Sequence, residues 1–291
     1  MTLATEKLMI RGLQHHIQRW GDHTLPTVFA LHGWMDCGIS FAEIAKQLSN
    51  KFHIIAPDLR GFGDTEHSTS GYWFPDYCAD LDAMINHYAP HSPANLLGHS
   101  MGGNIALMYA GIKPHRVSKV LSLEALGLPS TSPQDTPKKY AQWIEQSNTH
   151  KKQKHYPSLQ ALQQAIQANH PSLSEEMVKT LARTWGKPLH KDSQKYVLKH
   201  DAKHRHANPI RYHHEDMEAL WEAVTAKTGV VMANDSNIYQ QYLSSGRIEK
   251  AKKLLNITDK NYYIVDEAQH MLHLEQPKST AAHVAHFFSS E

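Results

Sequence analysis

Cysteine is almost missing from this chain of 291 residues: Cys37 and Cys78 are the only two. Two isolated thiols build neither a disulfide framework nor a cysteine-based metal site, so both are expected to be free. Long apolar runs are missing as well. None approaches the roughly 20 residues that a membrane helix needs, and no span is expected. Clustered charge of one sign is also lacking, with 30 Lys and Arg against 28 Asp and Glu for a net charge of +2. A nucleic-acid protein needs a concentrated basic face; the short runs "HKKQK" and "EKAKK" read instead as solvated helix faces. The opening "MTLATEKLMIRGLQHH" lacks the basic start and apolar stretch of a secretory signal, which makes the cytoplasm the expected location. Histidine is the residue in excess, at 23. Neighbours such as His15/His16 and His213/His214 point different ways on a strand or helix, and no Cys or Asp cluster accompanies them, so no metal is expected. Nothing in the pattern specifies an oligomeric state.

What is present is an alternation. "TVFALHG", "HIIAPDLRG", "ANLLGHS" and "KVLSLEAL" are near-continuous apolar strands ending in Gly or polar residues, as expected of strands buried on both faces. Between them lie helical patterns, "SFAEIAKQLSN", "FPDYCADLDAMINHYA" and "GGNIALMYAGIKP". Strands alternating with helices predict a mostly parallel sheet with helices on both faces. "KLMIRG" and "LQHHIQRWG" predict an antiparallel opening hairpin. Residues 129–225 then show helical spacing without a strand-like run, in "SPQDTPKKYAQWIEQSN", "PSLQALQQAIQANHPSLSEEMVKTLARTWG" and "HHEDMEALWEAV". The strand pattern resumes in "TGVVMAND" and "KNYYIVDEA", before the helix "PKSTAAHVAHFFSS". One α/β domain, 1–128 with 226–291, is therefore expected to carry a helical cap at 129–225.

The motif with most chemistry is "LLGHSMGG". Gly98-His99-Ser100-Met101-Gly102 fits Gly-x-Ser-x-Gly between an apolar strand and a helix, the context in which a serine stands on a tight turn as a nucleophile. A serine hydroxyl needs a base, and His270, in the loop after the last strand, is the candidate; His273 is its rival, better suited to a structural role. Oxyanion donors are expected from the amides of Met101, after the nucleophile, and Trp34, in "LHGWMD" after an earlier strand. "VLSLEALGLP" ends an apolar strand in Glu124, a costly place for an unpartnered charge.

Together "HGW", "DLRGFGDT", "GHSMGG" and "QHMLHLEQP" resemble the α/β-hydrolase superfamily in order and spacing, across nearly the whole chain outside the insertion. "LARTW" and "HDAKHRHANPIRYHHEDMEALWEAV" resemble its serine hydrolase-like branch. The resemblance implies a mostly parallel eight-stranded sheet, a helical cap after the sixth strand and a triad of Ser, acid and His. It also implies a departure. The usual acid follows the seventh strand, and in "VVMANDSNIY" that position is Asn237, with Asp235 nearby but two positions early. Some members carry the acid after the sixth strand, where this chain has Glu124. Glu124 is the preferred acid and Asp235 the alternative. Asp58 and Arg60 of "DLRGFGDT" are expected to tie down a loop.

The expected activity is that of a carboxylesterase-type serine hydrolase, cleaving carboxylic esters or thioesters through an acyl-enzyme on Ser100 without a cofactor. The expected partner is a small-molecule ester. Hydrolysis of C–C, lactone or amide bonds on the same triad is an alternative, and a non-catalytic ligand receptor is an alternative from another class. His99, Trp143, Trp185 and Trp221 are candidate substrate contacts, although aromatics at helical spacing more often pack a core.

Overall fold

The computed structural model describes residues 3–148 and 153–290; most of the "HKKQK" run lies outside them. The chain opens with the hairpin β1 (Ala4–Ile10) and β2 (Leu13–Trp20). Its two turn residues, Arg11 and Gly12, have φ of 46° and 80°, the doubly left-handed turn whose twist matches the strands it joins. Next come β3 (Thr27–Leu31), the helix α1 (Ala42–Leu48), β4 (His53–Pro57), α2 (Phe74–Tyr88), β5 (Ala94–His99), α3 (Met101–Ile112) and β6 (Val117–Leu123). The inserted region holds α4 (Thr136–Ser147), α5 (Leu159–Asn169), α6 (Glu175–Trp185), a small hairpin of β7 (Gly186–Pro188) and β8 (Tyr196–Leu198), and α7 (His214–Glu222). The chain ends with β9 (Lys227–Ala233), α8 (Asn237–Ser244), α9 (Arg247–Leu254), β10 (Tyr262–Val265), α10 (Leu272–Glu275) and α11 (Pro277–Ser289).

Eight strands form one sheet in the order β1-β2-β4-β3-β5-β6-β9-β10. Pairing is antiparallel at β1-β2 and β2-β4 and parallel from β4 to β10. The expected α/β-hydrolase fold is what the chain adopts. Apolar residues of α2, α3, α7 and α9 cover one face, among them Leu81, Ile105, Trp221 and Ile248. Ile44 and Leu48 of α1 and Val284 and Phe287 of α11 cover the other. At about 1.5–3 kcal/mol for each large side chain taken out of water, these two layers hold the sheet. No helix among the described residues is long and apolar enough to cross a membrane.

The inserted region departs from its sequence pattern twice. It contains the β7-β8 hairpin, whose strands of three residues are too short to leave an alternating signal. And α7, read with the cap, packs on α3 and α9, burying Met217 and Trp221 in the core of the main body. The remaining cap has a small core of its own around Leu162, Ile166, Val178 and Leu181, which closes over Met271 and Leu274 of the body.

Asp58, just past β4, ties the antiparallel hairpin to the loops at the sheet's edge. Its Oδ1 accepts from the amide of Gly38 (2.8 Å) and Nε2 of Gln18 (3.2 Å), and its Oδ2 accepts from His16 Nδ1 (2.9 Å) and the amide of Asp64 (2.9 Å). Arg60 forks onto Asp80 through Nε and Nη2, both at 2.6 Å. Removing a buried carboxylate that satisfies four donors leaves them unpaired, so Asp58→Ala is expected to cost about 3–5 kcal/mol in urea unfolding. The hydrogen bond to Asp58 holds the His16 imidazole above the usual histidine range. His16 thus keeps its proton more tightly folded than unfolded. Its contribution is complete below pH about 6.5 and is lost as the pH climbs through the raised value. The urea midpoint of the wild-type protein should fall across that window, and His16→Gln should flatten the fall.

Candidate active site

The sheet's parallel centre brings three loops to one edge. In the β5-β6 ladder His99 pairs with Leu123, so the next residues, Ser100 and Glu124, leave the sheet side by side. Both take positive φ, 51° and 56°, which non-glycine residues adopt only where their surroundings enforce it. At Ser100 the amide donates to Leu123 O (2.9 Å) while α3 begins at the next residue. Two glycines make that turn possible. A methyl on Gly98 would stand 2.3 Å from Gly102 O, and one on Gly102 would stand 2.1 Å from Leu31 O.

His270 comes from the loop between β10 and α10 and lies across both residues. Its Nε2 is 3.0 Å from Ser100 Oγ and its Nδ1 is 3.3 Å from Glu124 Oε2. A carboxylate only accepts, so Nδ1 carries the proton, and Nε2 presents its lone pair to the serine hydroxyl. Glu124 is 1% exposed, and its charge is met from three directions. Oε1 accepts from the Ala233 amide (2.7 Å), and Oε2 accepts from the Ser236 hydroxyl and from His270. Ser236, unnoticed in the sequence, also caps α8 by accepting from the Ile238 amide. A serine just ahead of a helix is the signal that could have found it.

The alternative acid is elsewhere. Asp235 is exposed, and its amide donates to Ala268 O (3.0 Å). Its carboxylate has no hydrogen bond or ion pair among the described residues. Asn237, the usual acid position, is the exposed first residue of α8. His273 lies fully buried behind His270, stacked on Phe41 at 5.4 Å between ring centres.

The loop after β3 supplies the remaining wall. Leu59's amide donates to His32 Nε2 (2.9 Å), which leaves Nδ1 as the donor to Gly33 O (2.7 Å). Burial pushes the His32 imidazole below its usual range and keeps that tautomer neutral. Gly33 O and the Trp34 amide belong to one trans peptide, so fixing the carbonyl aims the N–H the opposite way. The amides of Trp34 and Met101 have no hydrogen-bond partner among the described residues. Both residues line a hollow of about 350 Å³ together with Tyr72, Trp73 and Trp143. A second hollow, of about 590 Å³, shares Phe74, Ala207 and Asn208 with the first.

Of the four expected substrate contacts, Trp143 lines the hollow beside Trp34 and Met101, and three need correction. His99 is 1% exposed; its Nε2 donates to His270 O (2.7 Å), so it holds the loop that carries His270. Trp221 is wholly buried beneath the Arg247 guanidinium, 4.5 Å from its ring centre, because α7 belongs to the main body. Trp185 donates from Nε1 to Asp36 Oδ1 (2.8 Å) and reaches only a hollow of about 10 Å³.

Comparison with known proteins agrees with this architecture. A serine hydrolase-like protein of Danio rerio is 26% identical over 283 residues, covering 94% of this chain and 85% of that protein. Among solved structures, the thioesterase domain from the curacin biosynthetic pathway matches with a TM-score of 0.85 at 20% identity, over 100% of both chains. The esterase Rv0045c from Mycobacterium tuberculosis matches with a TM-score of 0.74 at 17% identity, over 100% of this chain and 92% of that one. At such identities the structures speak to the fold. The family model described as alpha/beta hydrolase fold matches residues 26–277, and on that match the chain belongs to the α/β-hydrolase family and resembles its serine hydrolase-like branch.

Proposed function

We propose that the protein is a serine hydrolase that cleaves carboxylic esters or thioesters through an acyl-enzyme on Ser100. The observation that carries this reading is the continuous path from the Glu124 carboxylate through His270 to the Ser100 hydroxyl, at 3.3 and 3.0 Å. The nucleophile being a serine favours acyl transfer over displacement at saturated carbon, for which related folds need a carboxylate. The esterase and thioesterase named among the structural neighbours support the same class.

In this reading Ser100 Oγ attacks the carbonyl carbon while His270 Nε2 takes its proton, and the carbonyl π electrons move onto oxygen. The amides of Trp34 and Met101 receive that oxyanion, the latter at the N-terminus of α3, where the helix dipole favours negative charge. Collapse expels the alkoxide or thiolate, which takes the proton from His270. Water then repeats the attack on the acyl-serine, with His270 again as base, and releases the acid and free Ser100. Glu124 keeps its charge throughout and stabilises the imidazolium rather than accepting its proton. No step calls for a cofactor.

Ser100→Ala is expected to abolish both ester turnover and labelling by a fluorophosphonate probe. Glu124→Gln should lower kcat on the order of 10⁴-fold, as loss of a triad acid does elsewhere, while Asp235→Asn stays near the wild-type rate. Equal losses from the two, in protein shown to be folded by circular dichroism, would remove Glu124 from the assigned role.

Trp143 lines the hollow beside the oxyanion donors, so Trp143→Ala should raise KM for longer acyl esters while leaving kcat for short ones within a few-fold. A series of p-nitrophenyl esters of graded acyl length reads this directly.

A further inference from the structure

Beside His270, the loop after β3, the end of β5 and α10 bury polar atoms that have no hydrogen-bond partner among the described residues. Asp36, His99 and His273 are 3%, 1% and 0% exposed. Among the described residues, Asp36 Oδ2, His99 Nδ1 and both ring nitrogens of His273 have no hydrogen-bond partner. His273 Nε2 stands 3.8 Å from Asp36 Oδ2, beyond hydrogen-bond reach. One ligand atom from each of the three residues lies within 4.8 Å of the others. Buried polar groups are normally paired, and an orphan keeps the cost of leaving water without the gain of a hydrogen bond. Three such atoms, one from each residue, lie close enough together to share an occupant.

We infer that Asp36, His99 and His273 form a binding site for a transition-metal dication of zinc type. Two imidazole nitrogens and one carboxylate oxygen are a donor set that suits Zn²⁺ with a fourth position left for water. The surrounding bonds are those that metal ligands usually carry. His99 already donates its Nε2 proton to His270 O (2.7 Å), so in the neutral ring Nδ1 bears the lone pair. Asp36 Oδ1 is already held by Trp185 Nε1 (2.8 Å). Gly33 leaves space beside the lone pair, since an added methyl would stand 2.8 Å from His99 Nδ1. A small hollow of about 10 Å³ borders Asp36 beside Cys37, Trp185 and His200. Ligand atoms about 2 Å from a tetrahedral zinc lie roughly 3.3 Å apart, so the trio draws together by up to about 1.5 Å on binding. A second trio, His16, Asp58 and Asp64, satisfies the same separation. There, however, Asp58 already accepts four hydrogen bonds, one of them from His16 Nδ1, which leaves no lone pairs converging on a vacant point.

The full-length protein is loaded with Zn²⁺ or Co²⁺ and dialysed against a weak chelator such as citrate, and the metal is then counted by mass spectrometry. About one equivalent is expected to stay with the wild-type protein and with His16→Gln, and to be lost from Asp36→Asn and His273→Gln. Bound Co²⁺ should show the intense visible bands of a low-coordinate site in the wild-type protein, a reading that needs no variant to fold. Retention of no metal overturns the inference. So does equal retention by every variant, which would mean adventitious binding at surface histidines only.

Discussion

A carboxylate held out of water has to be met by donors on every side, and around Glu124 those donors come from the C-terminal part of the chain. The Ala233 amide is the last of β9, Ser236 begins the turn into α8, and His270 arrives from the loop after β10. Each would be free to wander without a charge to converge on. The buried acid is therefore more than a partner for one histidine. It pins the C-terminal third of the sheet, through β9 and the His270 loop, to the strand neighbouring the nucleophile. Charge-assisted hydrogen bonds of this kind are roughly twice as strong as neutral ones, which suits the role proposed for Glu124, staying ionised while His270 changes its charge.

The same constraint explains why Ser100 and Glu124 share a strained backbone. They follow a register pair, His99 and Leu123, off adjacent parallel strands, and continuing straight would carry both side chains past the edge. Turning both to positive φ sends the chain into α3 on one side and into the cap on the other. The side chains stay beneath the imidazole. Ser100 donating its amide to Leu123 O and Glu124 donating its amide to Val231 O (2.9 Å) lock each turn to the next strand, so the strain is held by the sheet rather than by the loops.

Much of this was legible in the chain because local pattern and chemistry coincide. Near-continuous apolar strands ending in Gly-x-Ser-x-Gly fixed the position of Ser100, and the Asn at 237 directed attention to Glu124. What the pattern assigns wrongly or does not carry has a common physical origin. Trp221 shares its helical aromatic spacing with pocket-lining residues, and only the docking of α7 on α3 shows which surface it serves. Strands as short as β7 and β8 carry no period. His99 reads as a variable letter inside the serine motif, yet its ring reaches back to the carbonyl of His270. The meeting of Asp36, His99 and His273 is invisible for the reason that makes it notable, since its members sit on a loop, a strand end and a short helix far apart in sequence and show no ligand spacing.

The abundance of histidine takes on a different meaning beside the site. Burial first of all, with His273 and His270 close by, pushes the His99 imidazole well below its usual range, and burial likewise keeps His32 low. Each ring therefore works as a neutral connector with one fixed donor: His32 orients the peptide that carries the Trp34 amide, and His99 holds the carbonyl of His270. Neutrality is required as well as convenient. The His99 and His270 rings are 4.8 Å apart, and a second positive charge at that distance would oppose the imidazolium by about 3 kcal/mol at an effective dielectric of 20. A lysine in either place would anchor a loop at the expense of the proton transfer proposed for His270, whereas a buried imidazole anchors it and leaves Glu124 as the charge that His270 meets.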